Sequence, residues 1–126
     1  MNGIKASVLA LAIALVLKLF VFDFIVAQGQ SMEPAITDGN VLVISRLRYG
    51  LKLPGQKKYL IRWAQPKAGE VVVFYTPEGE IAVKRCTSLI DGQRFYAEGD
   101  NGLASYDSRS YGYVPLDSII GKVLGY

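Results

Sequence analysis

The chain has 126 residues, room for one compact domain of about 100 residues plus a short appendage, so a doubly wound dinucleotide fold or a TIM barrel is excluded. It has no histidine and one cysteine, Cys86, which excludes Ser-His-Asp and Cys-His catalysis, histidine-held metals, an intrachain disulfide and an iron–sulfur cluster. The net charge of +3 from 14 basic and 11 acidic residues is unevenly placed, and 51% of the residues are hydrophobic, enough to prompt a search for a membrane segment.

That segment lies at the N-terminus. Ala6 to Leu17 is twelve residues without a charge, and the stretch counted through Phe22 is 17 residues, near the lower limit for a span. Lys18 can snorkel from the end of such a helix. The leading expectation is one uncleaved transmembrane helix. The competing readings are a cleaved secretory signal, with Ile25-Val26-Ala27 as a poor cleavage site, and a buried helix of a soluble domain. Lys5 and the terminal amine on the short side, with Glu33 and Asp38 beyond the span, favour a cytoplasmic N-terminus. The expected organisation is a cytoplasmic tip and anchor at 1–22 and an extracytoplasmic β-rich domain at 23–126.

From Phe20 the pattern changes to alternation, Phe20, Phe22, Phe24 and Val26 against Val21, Asp23, Ile25 and Ala27, so a strand is predicted to begin as the helix ends. Val41–Ser45 is a β-branched run after the turn Asp38-Gly39-Asn40. The stretch 46–62 follows, with six basic residues and no acid, leaving eight basic and eleven acidic residues elsewhere, a net −3. It reads either as a solvated loop face or as a surface resting on anionic lipid headgroups. Nucleic-acid binding is not expected, because the aromatics form no stacking motif. Glu70–Thr76, Glu80–Ile90, Arg94–Gly99 and Ile119–Tyr126 complete the predicted strands, with turns at Glu78-Gly79 and Asp91-Gly92. Short strands between Gly, Pro and Asp turns predict a mainly β fold, a small barrel or sandwich.

Without histidine, chemistry falls to Ser, Thr, Lys, acids, Tyr or backbone groups. Gly29-Gln30-Ser31-Met32-Glu33-Pro34 sets a serine on a tight turn just outside the presumed membrane surface; such a serine is also an ordinary turn or cap residue. A nucleophilic serine then needs a lysine base, neutralised by burial. Lys84, in Ile81-Ala82-Val83-Lys84-Arg85-Cys86, has the most apolar setting, although strand alternation equally allows it to face solvent. Cys86, two residues on, reads as a packing residue. The stretch Gly99-Asp100-Asn101-Gly102-Leu103-Ala104-Ser105-Tyr106-Asp107-Ser108-Arg109 is a polar loop whose spacing does not fit an EF-hand.

These pieces together resemble the bacterial type I signal peptidases, membrane-anchored Ser-Lys proteases that cut signal peptides from secreted proteins. The matching pieces, in order from about Lys18 to Val123, are Gly29–Pro34 with Asp38-Gly39, Gly69–Phe74, Lys84-Arg85, and Gly99–Asn101 with Ser105, Asp107, Ser108 and Arg109, then Gly112 and Val114-Pro115. The resemblance implies that Ser31 attacks the scissile carbonyl and forms an acyl-enzyme, and that Lys84 takes its proton. It implies that Ser105 orients the lysine and that Asp107 and Arg109 brace the site by an ion pair. The Ser31 backbone N–H would supply part of the oxyanion hole, with Gly29 where some members carry a serine. Ala27, Gln28 and Met32 with Ile81, Ala82 and Val83 would border a groove that holds the substrate as an added strand and prefers small side chains at −1 and −3. No cofactor and no metal is implied. The implied location is the bacterial cytoplasmic (inner) membrane, with a single pass and the catalytic domain outside; the partners are secreted preproteins and, through 46–62, anionic lipids.

Several positions depart from the family pattern: Ala35 for the usual Thr, Asn40 for the usual Asp, and Ser88–Gly92 for the usual Pro-Gly. Only 20 residues separate Lys84 from Ser105, too few for the large second β-domain of some members. A specialised maturation or conjugative-type peptidase of the same superfamily and a catalytically idle, membrane-tethered peptide-binding β-domain are the alternatives.

Overall fold

A computed structural model of the chain describes residues 2–53 and 55–126, and of Leu19 the backbone alone. Met1 of the expected anchor and Pro54 of the basic run therefore lie outside the described residues. Helix α1 spans Gly3–Val16 and is capped by Asn2, whose side chain accepts from the Lys5 N–H at 2.9 Å. A π-helical turn, Leu17–Val21, unwinds it, and strand β1 follows at once, Phe22–Val26. The strand thus starts two residues later than the alternation predicts, because that turn consumes Phe20 and Val21. None of the residues of α1 is buried. At 14 residues it is shorter than the expected spanning helix, and no helix among the described residues is long and apolar enough to cross a membrane.

Eight further strands follow: β2 Val41–Ser45, β3 Gly50–Leu51, β4 Ile61–Arg62, β5 Val71–Tyr75, β6 Ile81–Ile90, β7 Arg94–Glu98, β8 Val114–Pro115 and β9 Ile119–Gly125. A one-turn helix, α2, occupies Ser108–Tyr111. Seven strands form one antiparallel sheet in the order β1-β2-β9-β5-β6-β7-β8, and β3 pairs with β4 apart from it. The sheet curls into a half-barrel, so the expected β-rich class holds while its edges, β1 and β8, stay unpaired with each other.

The uninterrupted apolar run of β5 explains its place at the centre of the curl, since a strand buried on both faces needs no polar alternation. Val72 and Phe74 enter one core with Cys86, Phe95, Ala97 and Leu116; Val71 and Val73 enter the other with Met32, Ile36, Leu42 and Ile44. The Phe74 and Phe95 rings meet edge to face at 5.2 Å. Strand β6 is the longest, ten residues, and pairs with β5 along its first half and with β7 along its second. Its first half therefore crosses the middle of the sheet, where Lys84 is buried although Ile81 three residues before it is exposed. Strands β3, β4 and β8, two residues each, are too short to leave a periodic signal, and sequence patterning misses them.

Candidate active site

Ser31 stands on the loop between β1 and β2. Three hydrogen bonds close that loop: Ala27 N–H to the Asn40 carbonyl, Gly39 N–H to the Ala27 carbonyl, both 2.8 Å, and Gly29 N–H to the Asp38 carboxylate at 2.9 Å. Gly29 adopts φ +84°, a conformation costly to any residue with a Cβ. Met32 and Ile36, bridged by a backbone bond of 2.9 Å, drive their side chains into the core and leave Ser31 half-buried. The turn is therefore held at both sides of the serine.

Lys84 sits in the first half of β6, opposite Val72, and only 7% of it is exposed. Its Nζ lies 2.7 Å from Ser31 Oγ, although the two residues are 53 positions apart. Burial pushes the Lys84 ammonium below its ordinary range; the carboxylate of Asp107 pulls it back up and Arg109 pushes it down again. In its charged form the amine donates to Oγ. Once neutral, it is placed to accept the hydroxyl proton.

The loop 99–109 is organised by Asp107, which is fully buried. Its Oδ2 accepts from the Ser105 hydroxyl at 2.6 Å, the Gly99 N–H at 2.8 Å and the Arg109 guanidinium at 2.5 Å; Oδ1 accepts from the Arg109 N–H and Nε, both 3.0 Å. Burial alone would raise this carboxyl, but Arg109, Ser105 and the two amides outweigh it and hold it well below the usual carboxylate range. The Ser105 hydroxyl thus spends its proton on Asp107, and among the described residues it makes no hydrogen bond with Lys84. Arg109 also reaches the Gly99 carbonyl at 3.1 Å.

This loop is stitched directly to the nucleophile turn. The Asn101 N–H donates to the Ser31 carbonyl at 2.8 Å, and its side-chain amide donates to the Gln30 carbonyl at 3.1 Å. Gly99 permits this close approach: a Cβ there would run into the Ser105 side chain and lie 2.6 Å from the Ser31 carbonyl oxygen. Among the described residues no group accepts from the Ser31 N–H, so this donor is free for a developing oxyanion.

A cleft of about 500 Å³ opens over Ser31 and Lys84. Ala27, Gln28, Met32, Ile81, Ala82 and Val83 all line it, beside Ser31, Lys84 and Gly29. Thr76, Glu80, Ala104 and Tyr106 line it as well, and sequence reasoning gives them no part. The Tyr106 hydroxyl donates to Glu78 at 2.7 Å, fixing that wall to the β5–β6 turn. Cys86 is fully buried, and burial raises its thiol to about 11, so it packs and does not react.

A family model described as "Signal peptidase, peptidase S26" matches residues 1–94 and 81–125, nearly the whole chain. The chain belongs to the signal peptidase family S26. It is 26% identical to the Signal peptidase I of Bacillus caldolyticus, over 90% of this chain and 84% of that protein. It is 28% identical to that of Pseudomonas fluorescens over 91% of this chain but 38% of that protein. It is 24% identical to that of Leptolyngbya laminosa over 98% of this chain and 77% of the relative. Membership makes the chain a serine endopeptidase of the signal peptidase type, in a family that is membrane-associated in bacteria.

Proposed function

We propose that Ser31 and Lys84 are the catalytic dyad and that the chain cuts signal peptides from secreted preproteins after small residues. The 2.7 Å approach of a buried lysine to a half-buried serine is the observation that carries this reading. A preprotein segment lies extended in the cleft, between Ala27-Gln28 on one wall and Ile81–Val83 on the other, with small side chains at −1 and −3 facing Ala27, Met32 and Ala82. Neutral Lys84 takes the Ser31 hydroxyl proton as Oγ adds to the scissile carbonyl. The Ser31 N–H steadies the oxyanion. Lys84 gives the proton to the departing amine, leaving the acyl-enzyme, and then draws a proton from the water that hydrolyses it. Asp107, Arg109 and Ser105 are positioning residues: they hold the 99–109 loop against the Ser31 carbonyl and set the charge around Lys84.

The same reading divides the chain into an anchor at 1–22 and a peptidase domain at 23–126. Beyond Lys5 and Ser7, helix α1 is apolar on every side, with Val8, Leu9, Leu11, Ile13 and Leu15 all exposed, and it buries nothing against the domain. Such a helix is stable in a bilayer, where the π-helical turn would extend it. The domain then stands outside the bacterial cytoplasmic membrane on a single pass, with the basic run 46–62 toward anionic lipid.

The test is cleavage of a preprotein carrying an Ala-x-Ala site by detergent-solubilised protein, with Ser31→Ala and Lys84→Ala as comparisons. Both variants are expected to be inactive, and retained cleavage in either removes the dyad. Resistance of the full chain to alkaline carbonate extraction from membranes tests the anchor separately.

A further inference from the structure

A second basic cavity, of about 260 Å³, lies away from the active-site cleft. Arg46, Lys52 and Lys57 line it together with Gln56, Tyr75 and Ile120, and no acidic side chain does. Its position is fixed by Arg46. The Arg46 N–H donates to the Val21 carbonyl at 2.7 Å, and its guanidinium pairs with Asp23 at 2.5 Å, so the cavity opens at the foot of the N-terminal helix. Arg46 Nε is buried and has no partner among the described residues.

Lys52 is held without a carboxylate in contact. Its Nζ donates to the Ile119 carbonyl at 2.6 Å and stands 4.6 Å from the centre of the Tyr59 ring. Burial lowers it to about 8, against the distant pull of Asp117. Arg46 is already paired with Asp23 and its Nε is buried, so Lys52 and Lys57 are the cations that this cavity, with no acid in its lining, offers to a compact anion, and phosphate oxygens suit their ammonium groups. The neighbouring surface is amphipathic: Leu53 lines the cavity and is exposed, as is Trp63, whose indole donates to the Leu47 carbonyl at 3.1 Å. Tryptophan beside lysine and arginine is the side-chain mixture of a headgroup boundary.

We propose that this cavity is a phosphate site, occupied in the membrane by the headgroup of an anionic phospholipid. The proposal rests on the anchor reading above, because only an anchor brings the foot of α1 to headgroup depth. A seated phosphate would tie the 46–62 segment to the bilayer and fix the tilt of the domain on its helix.

Native mass spectrometry of the detergent-solubilised full chain tests it, with phosphatidylglycerol, phosphatidylcholine and inorganic phosphate as probes. The wild type is expected to retain one phosphatidylglycerol in preference to phosphatidylcholine. Lys57→Gln should weaken retention about fivefold and the Lys52→Gln/Lys57→Gln pair about 25-fold, the loss of one and two near-surface cations. Melting temperature checks that each variant folds; if removing the Lys52–Ile119 bond unfolds the pair, the Lys57 variant alone decides. Unchanged retention in the folded variants, or equal retention of phosphatidylcholine, overturns the site. Inorganic phosphate binding as well as the lipid overturns the lipid source. Extraction of the wild type by carbonate overturns the anchor and the lipid source with it, while loss of peptide cleavage alone touches only the dyad.

Discussion

Two lysines in this chain are held below their ordinary protonation range by burial, and their surroundings separate them. Lys84 lies on a central strand with a serine hydroxyl at 2.7 Å and the carboxylate of Asp107 nearby. Lys52 lies in the irregular segment after β3, against the Ile119 carbonyl and the ring of Tyr59, and among the described residues no hydroxyl is hydrogen-bonded to its amine. A lysine made easier to neutralise is therefore not yet a base. What it faces decides whether the lowered proton affinity does chemistry or invites an anion.

The comparison breaks first on activity. Lys84→Ala should cut kcat/KM on a soluble peptide by about 10³-fold or more, whereas Lys52→Gln should leave it within about twofold. Comparable losses in both would mean that burial alone, and not the serine, marks the functional lysine.

The next test lies in Asp107, whose carboxylate raises Lys84 as Asp117 raises Lys52. Asp107→Asn weakens a buried carboxylate's bonds to Ser105, Gly99 and the exposed Arg109, so urea unfolding should register a loss of about 1–3 kcal/mol. The exposed pair Asp91–Arg94 serves as the control, and Asp91→Asn should leave the urea midpoint essentially unchanged. Removing the Asp107 charge also removes a pull that raises Lys84, so the rising limb of the pH–rate profile should move to lower pH. A fall in rate with the limb unmoved would make Asp107 a purely structural support.

The smallest effect is on stability against pH. Both lysines bind their proton less tightly folded than unfolded, so each costs stability at neutral pH, and that cost is relieved as pH rises between the folded and unfolded values. For Lys52 the window runs from about 8 to the unfolded value of about 10.4. Lys84→Met should therefore stabilise the fold at pH 7 by an amount that shrinks toward pH 10. A gain that is constant with pH would mean that packing, not charge, is responsible.

Much of this architecture is legible in the sequence. The uninterrupted run of β5, the turn residues between strands and the apolar flanks of Lys84 are local features, and local features survive in a one-dimensional pattern. The six predicted cleft residues lie within seven positions of Ser31 or Lys84, so the resemblance could carry them. Lys52 was illegible, because a lysine among five other basic residues looks solvated until the strands β3 and β4 fold over it. The Asn101 bonds to Gln30 and Ser31 were illegible for another reason: they join loops 70 residues apart, and nothing in a polar loop's composition says which carbonyl it will meet. The resemblance gives Ser105 to the lysine, and its donor bond to Asp107 depends on a side-chain torsion that no motif encodes.

Strand β1 has a consequence of its own. It is five residues long, with the π-helical turn at one end and the nucleophile loop at the other, a rigid spacer of about 17 Å. It works as a ruler. Two residues added to it would lift the dyad by about 7 Å with Phe22 and Phe24 still on the same face, while one added residue would turn that face over. On the anchor proposed above, the reach of the dyad along a substrate emerging from a bilayer would be set by the length of one short strand.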